Sequence, residues 1–129
     1  MEKETPFEGI IVSRSEAVDS FRLAEFVRPY LKIVKEDSQI VPLDNYSKLD
    51  DEKKIVSYLL ARKIMKLAGM IRLEGVGPTD IHKNTGVGLS NTKKITLNSK
   101  YIKPEGKGKY SVPNYLLSSL SEVFENGIR

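Results

Sequence analysis

The 129-residue chain has no cysteine, no tryptophan and a single histidine, His82. Without cysteine there are no disulfides, no thiolate zinc sites and no thiol nucleophile. One imidazole leaves metal binding to carboxylates, and no clustered acidic motif supplies them; neither a metal nor another cofactor is expected. No apolar run approaches the roughly 20 residues needed to cross a bilayer. The opening Met1-Glu-Lys-Glu-Thr-Pro6 lacks the apolar stretch of a secretory leader, so a cytoplasmic location and no membrane partner are expected. No Ser/His/Asp arrangement can be read around His82, and Gly106-Lys-Gly-Lys109 departs from the phosphate-binding pattern G-x-x-x-x-G-K-[ST]. The expectation is a protein that is not an enzyme and has no small-molecule substrate.

What is present is a chain able to build one modest core, with 40% hydrophobic residues spread along its length. The net charge of +4 conceals an asymmetry. Residues 1–50 hold seven basic and ten acidic residues, a net of −3, while residues 51–129 hold fourteen and seven, a net of +7. Between His82 and Tyr110 lie seven lysines (83, 93, 94, 100, 103, 107, 109) and one acid, Glu105. The C-terminal part is therefore the candidate polyanion-binding face.

Local patterns divide the chain near residue 46. The acidic arm, 1–46, begins with a β-branched run at Gly9–Ser13 that reads as a strand. A helix follows, with Ser15 as its cap and Ala17, Phe21, Ala24 and Val27 at helical spacing, ending at Pro29. Residues 30–43 read as a hairpin about Glu36-Asp-Ser38, the alternative being a resumed helix. From Asp51 the 3.6-residue period is plain: Ile55, Val56, Leu59, Leu60, Ile64, Leu67 and Ala68, with Gly69 at or near the end. Pro78 suits the first position of a second helix, and Gly86-Val-Gly88 makes a turn. A third helix runs from about Leu89 or Ser90 to Asn98 or Ser99. Strands at Tyr101–Lys103 and Lys109–Val112 then flank a loop, Pro104–Gly108, and a last helix carries Leu116, Leu117, Leu120, Val123 and Phe124.

The order from Asp51 to Pro113, helix, helix, turn, helix and hairpin, resembles the winged helix–turn–helix family of DNA-binding domains. Thr85-Gly-Val-Gly-Leu-Ser-Asn-Thr92 looks like its inter-helix turn and recognition-helix start, and Thr96–Ile102 like its passage into the wing. His82 stands where such families often have alanine. The resemblance implies an α+β fold, mostly α: a winged helix–turn–helix over 47–129 with a C-terminal helix, preceded by an α/β arm that oligomerises or docks a partner. It implies binding of double-stranded DNA by a transcriptional regulator or accessory factor, with a homodimer built on the C-terminal helix or the arm. The alternative is an interaction module within a larger assembly.

With Leu89 turned inward, Asn91, Lys94, Ile95 and Asn98 share the outward face of the recognition helix. Asparagine can bond adenine, lysine can donate to guanine, and an apolar side chain can touch a thymine methyl. Ser90 joins this set at the helix start. Lys107 and Lys109 at the wing, Thr79 and Lys83 on the preceding helix, and Lys93 and Lys100 are candidates for phosphate contact. The other reading of the same residues buries Ile95 in the core and leaves the polar side chains as solvated surface.

Overall fold

The computed structural model describes residues 19–121 and Phe124. The fold is α+β and mostly helical, with two small antiparallel hairpins. The expected strand at 9–13, the Ser15 cap and the end of the last helix lie outside the described residues.

The first described helix, α1 (Ser20–Val27), starts at Asp19, whose carboxylate accepts from the Arg22 amide at 3.1 Å. It stops before Pro29, which cannot continue the ladder. The helix buries Leu23, Phe26 and Val27 and leaves Phe21 88% exposed. The expected stripe through Phe21 is thus rotated, because the i, i+3, i+4 set at 23, 26 and 27 buries more apolar surface than one built on Ala17 and Ala24. The hairpin reading of 30–43 is borne out. Strands β1 (Leu31–Val34) and β2 (Gln39–Pro42) pair antiparallel from Leu31↔Pro42 to Val34↔Gln39. A 3-10 turn at Asp44–Lys48 leads on to Asp50.

Asp50 caps α2 (Asp51–Leu67), accepting from the Lys53 amide at 2.9 Å, and the chain leaves it through Gly69 at φ 77°. Every residue from Ile55 to Ala61 is buried, so α2 is enclosed rather than half-exposed. It is packed against by α1 and β1, and by two later helices, α3 (Pro78–Thr85) and α4 (Leu89–Asn98). Strands β3 (Lys103–Gly106) and β4 (Lys109–Ser111) form the second hairpin. Val76, just before α3, adds a single rung to it: its amide donates to the Tyr110 carbonyl at 3.1 Å and the Tyr110 amide donates back at 2.8 Å.

The segment after β4 begins as a 3-10 helix at Asn114–Ser119, where an α-helix was expected. Its apolar side chains turn into the same core. Leu117, Leu120 and Phe124 are buried, and the Phe124 ring lies 5.7 Å from Phe26 and 5.8 Å from Tyr30. Residues 19–46 of the arm and the end of the chain therefore share one apolar cluster with α2. A stability comparison checks this assignment of inside and outside. Leu60, fully buried, should lose about 2–5 kcal/mol on replacement by alanine, whereas Phe21→Ala should stay within about 0.5 kcal/mol. Urea midpoints for the two variants measure the difference.

Candidate nucleic-acid interface

The turn between α3 and α4 is held by its own side chains. Gly86 takes the left-handed conformation that ends α3 (φ 82°), and Val87 is buried beneath it. The Thr85 hydroxyl donates to the Ile81 carbonyl at 2.7 Å and accepts from the Val87 amide at 3.2 Å. His82 Nδ1 lies 2.7 Å from the Val87 carbonyl. A carbonyl only accepts, so Nδ1 carries the proton and the imidazole closes the turn. The side chain at 82 thus has a bonding role. Tyr46 adds an outside brace, its hydroxyl donating to the Thr85 carbonyl at 2.7 Å.

Helix α4 is rolled relative to expectation. Thr92 and Thr96 are buried, and Ile95 packs against the core. Asn91 is half-buried and donates from Nδ2 to the Asp51 carboxylate at 2.6 Å. Two of the expected outward residues, Asn91 and Ile95, therefore face α2. The reason lies in threonine chemistry: Thr92 donates to the Gly88 carbonyl at 2.9 Å and Thr96 to Lys93 at 3.0 Å. Their hydroxyls are satisfied within the helix, and only their methyl groups need packing partners. At the far end the Ser99 hydroxyl donates to the Glu52 carboxylate at 2.6 Å. Two acids in the first turn of α2 thus hold both ends of α4.

The outward face of α4 consists of Ser90, Lys93, Lys94, Leu97 and Asn98, all exposed. Leu97, 73% exposed, is the residue the sequence reading missed. Leu89, taken as inward in the sequence reading, is 36% exposed as well. Thr79, Lys83, Lys100, Lys107 and Lys109 are exposed as well. Lys100 sits over the Tyr101 ring at 5.3 Å. Among the described residues, no lysine of α3, α4 or the hairpin forms an ion pair with a carboxylate.

The hairpin is tighter than expected. Pro104 pairs with Tyr110 and Gly106 with Lys109, so the loop shrinks to Lys107-Gly108, with a bulge at Glu105. Lys107 and Gly108 both have positive φ, 56° and 75°, the geometry of a two-residue hairpin turn. Glu105, the one acid in this basic stretch, accepts from the Ser111 hydroxyl at 2.7 Å, back toward the hairpin base. A methyl group at Gly77 would lie 3.4 Å from the Gly108 carbonyl, so the lysine-bearing tip runs beside the start of α3.

A second polar cluster also escaped sequence reading. Lys63 is buried with Glu74, their charges 2.7 Å apart, although it occupies a position on the apolar side of α2. Arg62 donates to the carbonyls of Leu73 and Glu74 at 2.9 and 3.2 Å, fixing the strand-like stretch that reaches Val76. Among the described residues, no group of three or more His, Asp or Glu side chains converges to hold a metal, and no helix is long and apolar enough to cross a membrane. No family model, no curated protein and no solved structure matches the chain.

Two measurements probe this geometry. Asp51→Ala and Glu52→Ala should each cost about 1–2 kcal/mol by releasing one end of α4, while Asp51→Asn, which keeps an acceptor, should cost less. Denaturant unfolding orders the three. Burial, with the nearby Asp51 charge adding to it, pushes the Tyr46 hydroxyl up to about 12 from 10. A raised acid favours the protonated folded form, so the stability it supplies is complete below pH 10 and is lost as pH climbs toward 12. Wild type should therefore lose stability more steeply than Tyr46→Phe across that window.

Proposed function

We propose that the chain is a winged helix–turn–helix protein that binds double-stranded DNA, acting as a transcriptional regulator or an accessory factor in DNA transactions. On this reading α4 enters the major groove and the β3–β4 hairpin is the wing. The order α2, Val76 rung, α3, turn, α4, hairpin supports it. The observation that carries it is electrostatic: the exposed lysines of α3, α4 and the hairpin form no ion pair among the described residues, while Asp51, Glu52 and Glu105 are taken up by neutral hydrogen-bond donors and Asp80 is the one acid on α3. Such a surface favours a polyanion over a neutral partner.

The roles follow from exposure. Ser90, Lys94 and Asn98 are the polar groups set to reach base edges, and Leu97 offers an apolar contact for a thymine methyl. Lys93, Lys100, Lys107 and Lys109 serve phosphates, joined by Thr79 and Lys83 on α3. Leu97 also favours a second reading, a protein partner docking on the same face, because an exposed leucine suits either surface.

Salt dependence separates the two. Duplex binding should weaken with a log–log slope of about −0.9 per phosphate neutralised, and the double variant Lys107→Ala/Lys109→Ala should flatten that slope by up to about 1.8 on every sequence alike. Lys94→Ala or Asn98→Ala should instead cost roughly 1–3 kcal/mol at particular base pairs. A folded wild-type chain that fails to retain random duplex at low salt would remove DNA from consideration and leave the protein-docking reading.

A further inference from the structure

The second half of α2, the Glu74 loop, the base of the β3–β4 hairpin and the segment after it enclose a cleft of about 350 Å3. That volume is at the small end of the range for small-molecule sites, roughly 300–1,000 Å3. Lys63, its side chain 3% exposed, lies against the cleft. Lysine is rarely buried in this way unless its charge is met. Its ammonium contacts Glu74 at 2.7 Å and donates to Asn114 Oδ1 at 2.6 Å. An ammonium has three donors, and the one hydrogen bond it makes among the described residues is to Asn114, since Glu74 Oε2 meets the charge without hydrogen-bond geometry.

The rim extends the same chemistry. Lys66 comes no closer than 4.0 Å to Glu74, outside hydrogen-bond reach. Lys103 forms no ion pair among the described residues, and Glu105 is engaged by Ser111. The lining therefore carries three lysines against two glutamates, beside the ring of Tyr115 and the flat faces of Pro104 and Pro113.

We propose that this cleft binds a small organic monocarboxylate, with the carboxylate held by Lys63, Lys66 and Lys103 and the apolar body laid against Tyr115 and the prolines. A surplus of one positive charge matches one negative charge. A phosphate dianion would exceed that surplus by one charge and meet twice the repulsion from Glu74 and Glu105. The two clefts beside α1 contain no buried ammonium and offer no such anchor. The anchor stands apart from the nucleic-acid reading, since Lys63 and Lys66 have no part in it; Lys103, at the base of the hairpin, is the one lysine shared with the basic surface.

Titration of the isotope-labelled full chain with isobutyrate and benzoate, followed by amide chemical shifts, provides the test. Inorganic phosphate at matched ionic strength is the control, and no nucleic acid is present. The expected result is saturable shifts at Lys103, Ser111, Asn114 and Tyr115 with the carboxylates and none with phosphate. Lys66→Gln and Lys103→Gln, both at exposed positions that leave the core intact, should each weaken binding roughly tenfold or more, the loss of a charge-assisted contact. Lys63→Met should abolish it. The proposal is overturned if neither carboxylate gives saturable shifts, if both rim variants bind like wild type, or if phosphate binds equally well. Failure here leaves the DNA-binding outcome unaffected, because each experiment uses its own ligand.

Discussion

Enclosure of α2 is the constraint on which the other elements depend. A helix buried from Ile55 through Ala61 has no solvent face to spare along that stretch, so each neighbour must seal one side of it. Different levels of the helix govern different parts of the surface. Asp51 and Glu52 in its first turn hold α4, and Tyr58 in its middle accepts from Asn84 of α3 at 3.2 Å. Arg62 and Lys63 near its end anchor the stretch that reaches Val76 and, through Val76, the hairpin. On the proposed reading, the groove-entering helix, the helix before it and the wing are thus all referenced to one rod.

Much of the fold was legible in the sequence because its punctuation is chemical. Pro29, Pro78, Gly69 and Gly86 end or start helices for reasons of backbone geometry that hold in any context, and α2, α3 and α4 lie within a residue or two of where the pattern put them. Faces were harder to read than boundaries. Phe21 falls in the helical stripe by spacing yet is exposed, and Leu97 faces outward, because hydrophobicity alone ranks apolar residues without knowing which neighbours are available. Thr92 and Thr96 share the Leu89 side of α4 and are buried, each hydroxyl bonding back to its own helix, but Leu89 itself is 36% exposed. The helix is rolled past Leu89, which brings Asn91 and Ile95 against the fold. The Val76 rung was invisible for another reason: one paired residue has no period.

Charge is sorted by a similar rule. Three acids beside the basic surface are each occupied by a neutral donor: Asn91 at Asp51, Ser99 at Glu52 and Ser111 at Glu105. The lysines themselves project from α3, α4 and the hairpin without ion pairs among the described residues, so their field is spent on solvent rather than within the fold. Lys63 is the inverse case, a cation drawn inside and matched there by Glu74. The same residue type therefore does two unlike jobs a few helical turns apart, and burial decides which.

The contact of Phe124 with Phe26 and Tyr30 sets an order of events during synthesis. Phe26 and Tyr30 emerge from the ribosome before α2, yet the ring that completes their aromatic cluster is encoded almost a hundred residues later. Until residue 124 has left the exit tunnel, Phe26 and Tyr30 lack their final covering. A segment made before α2 is thus finished only after the hairpin has followed it.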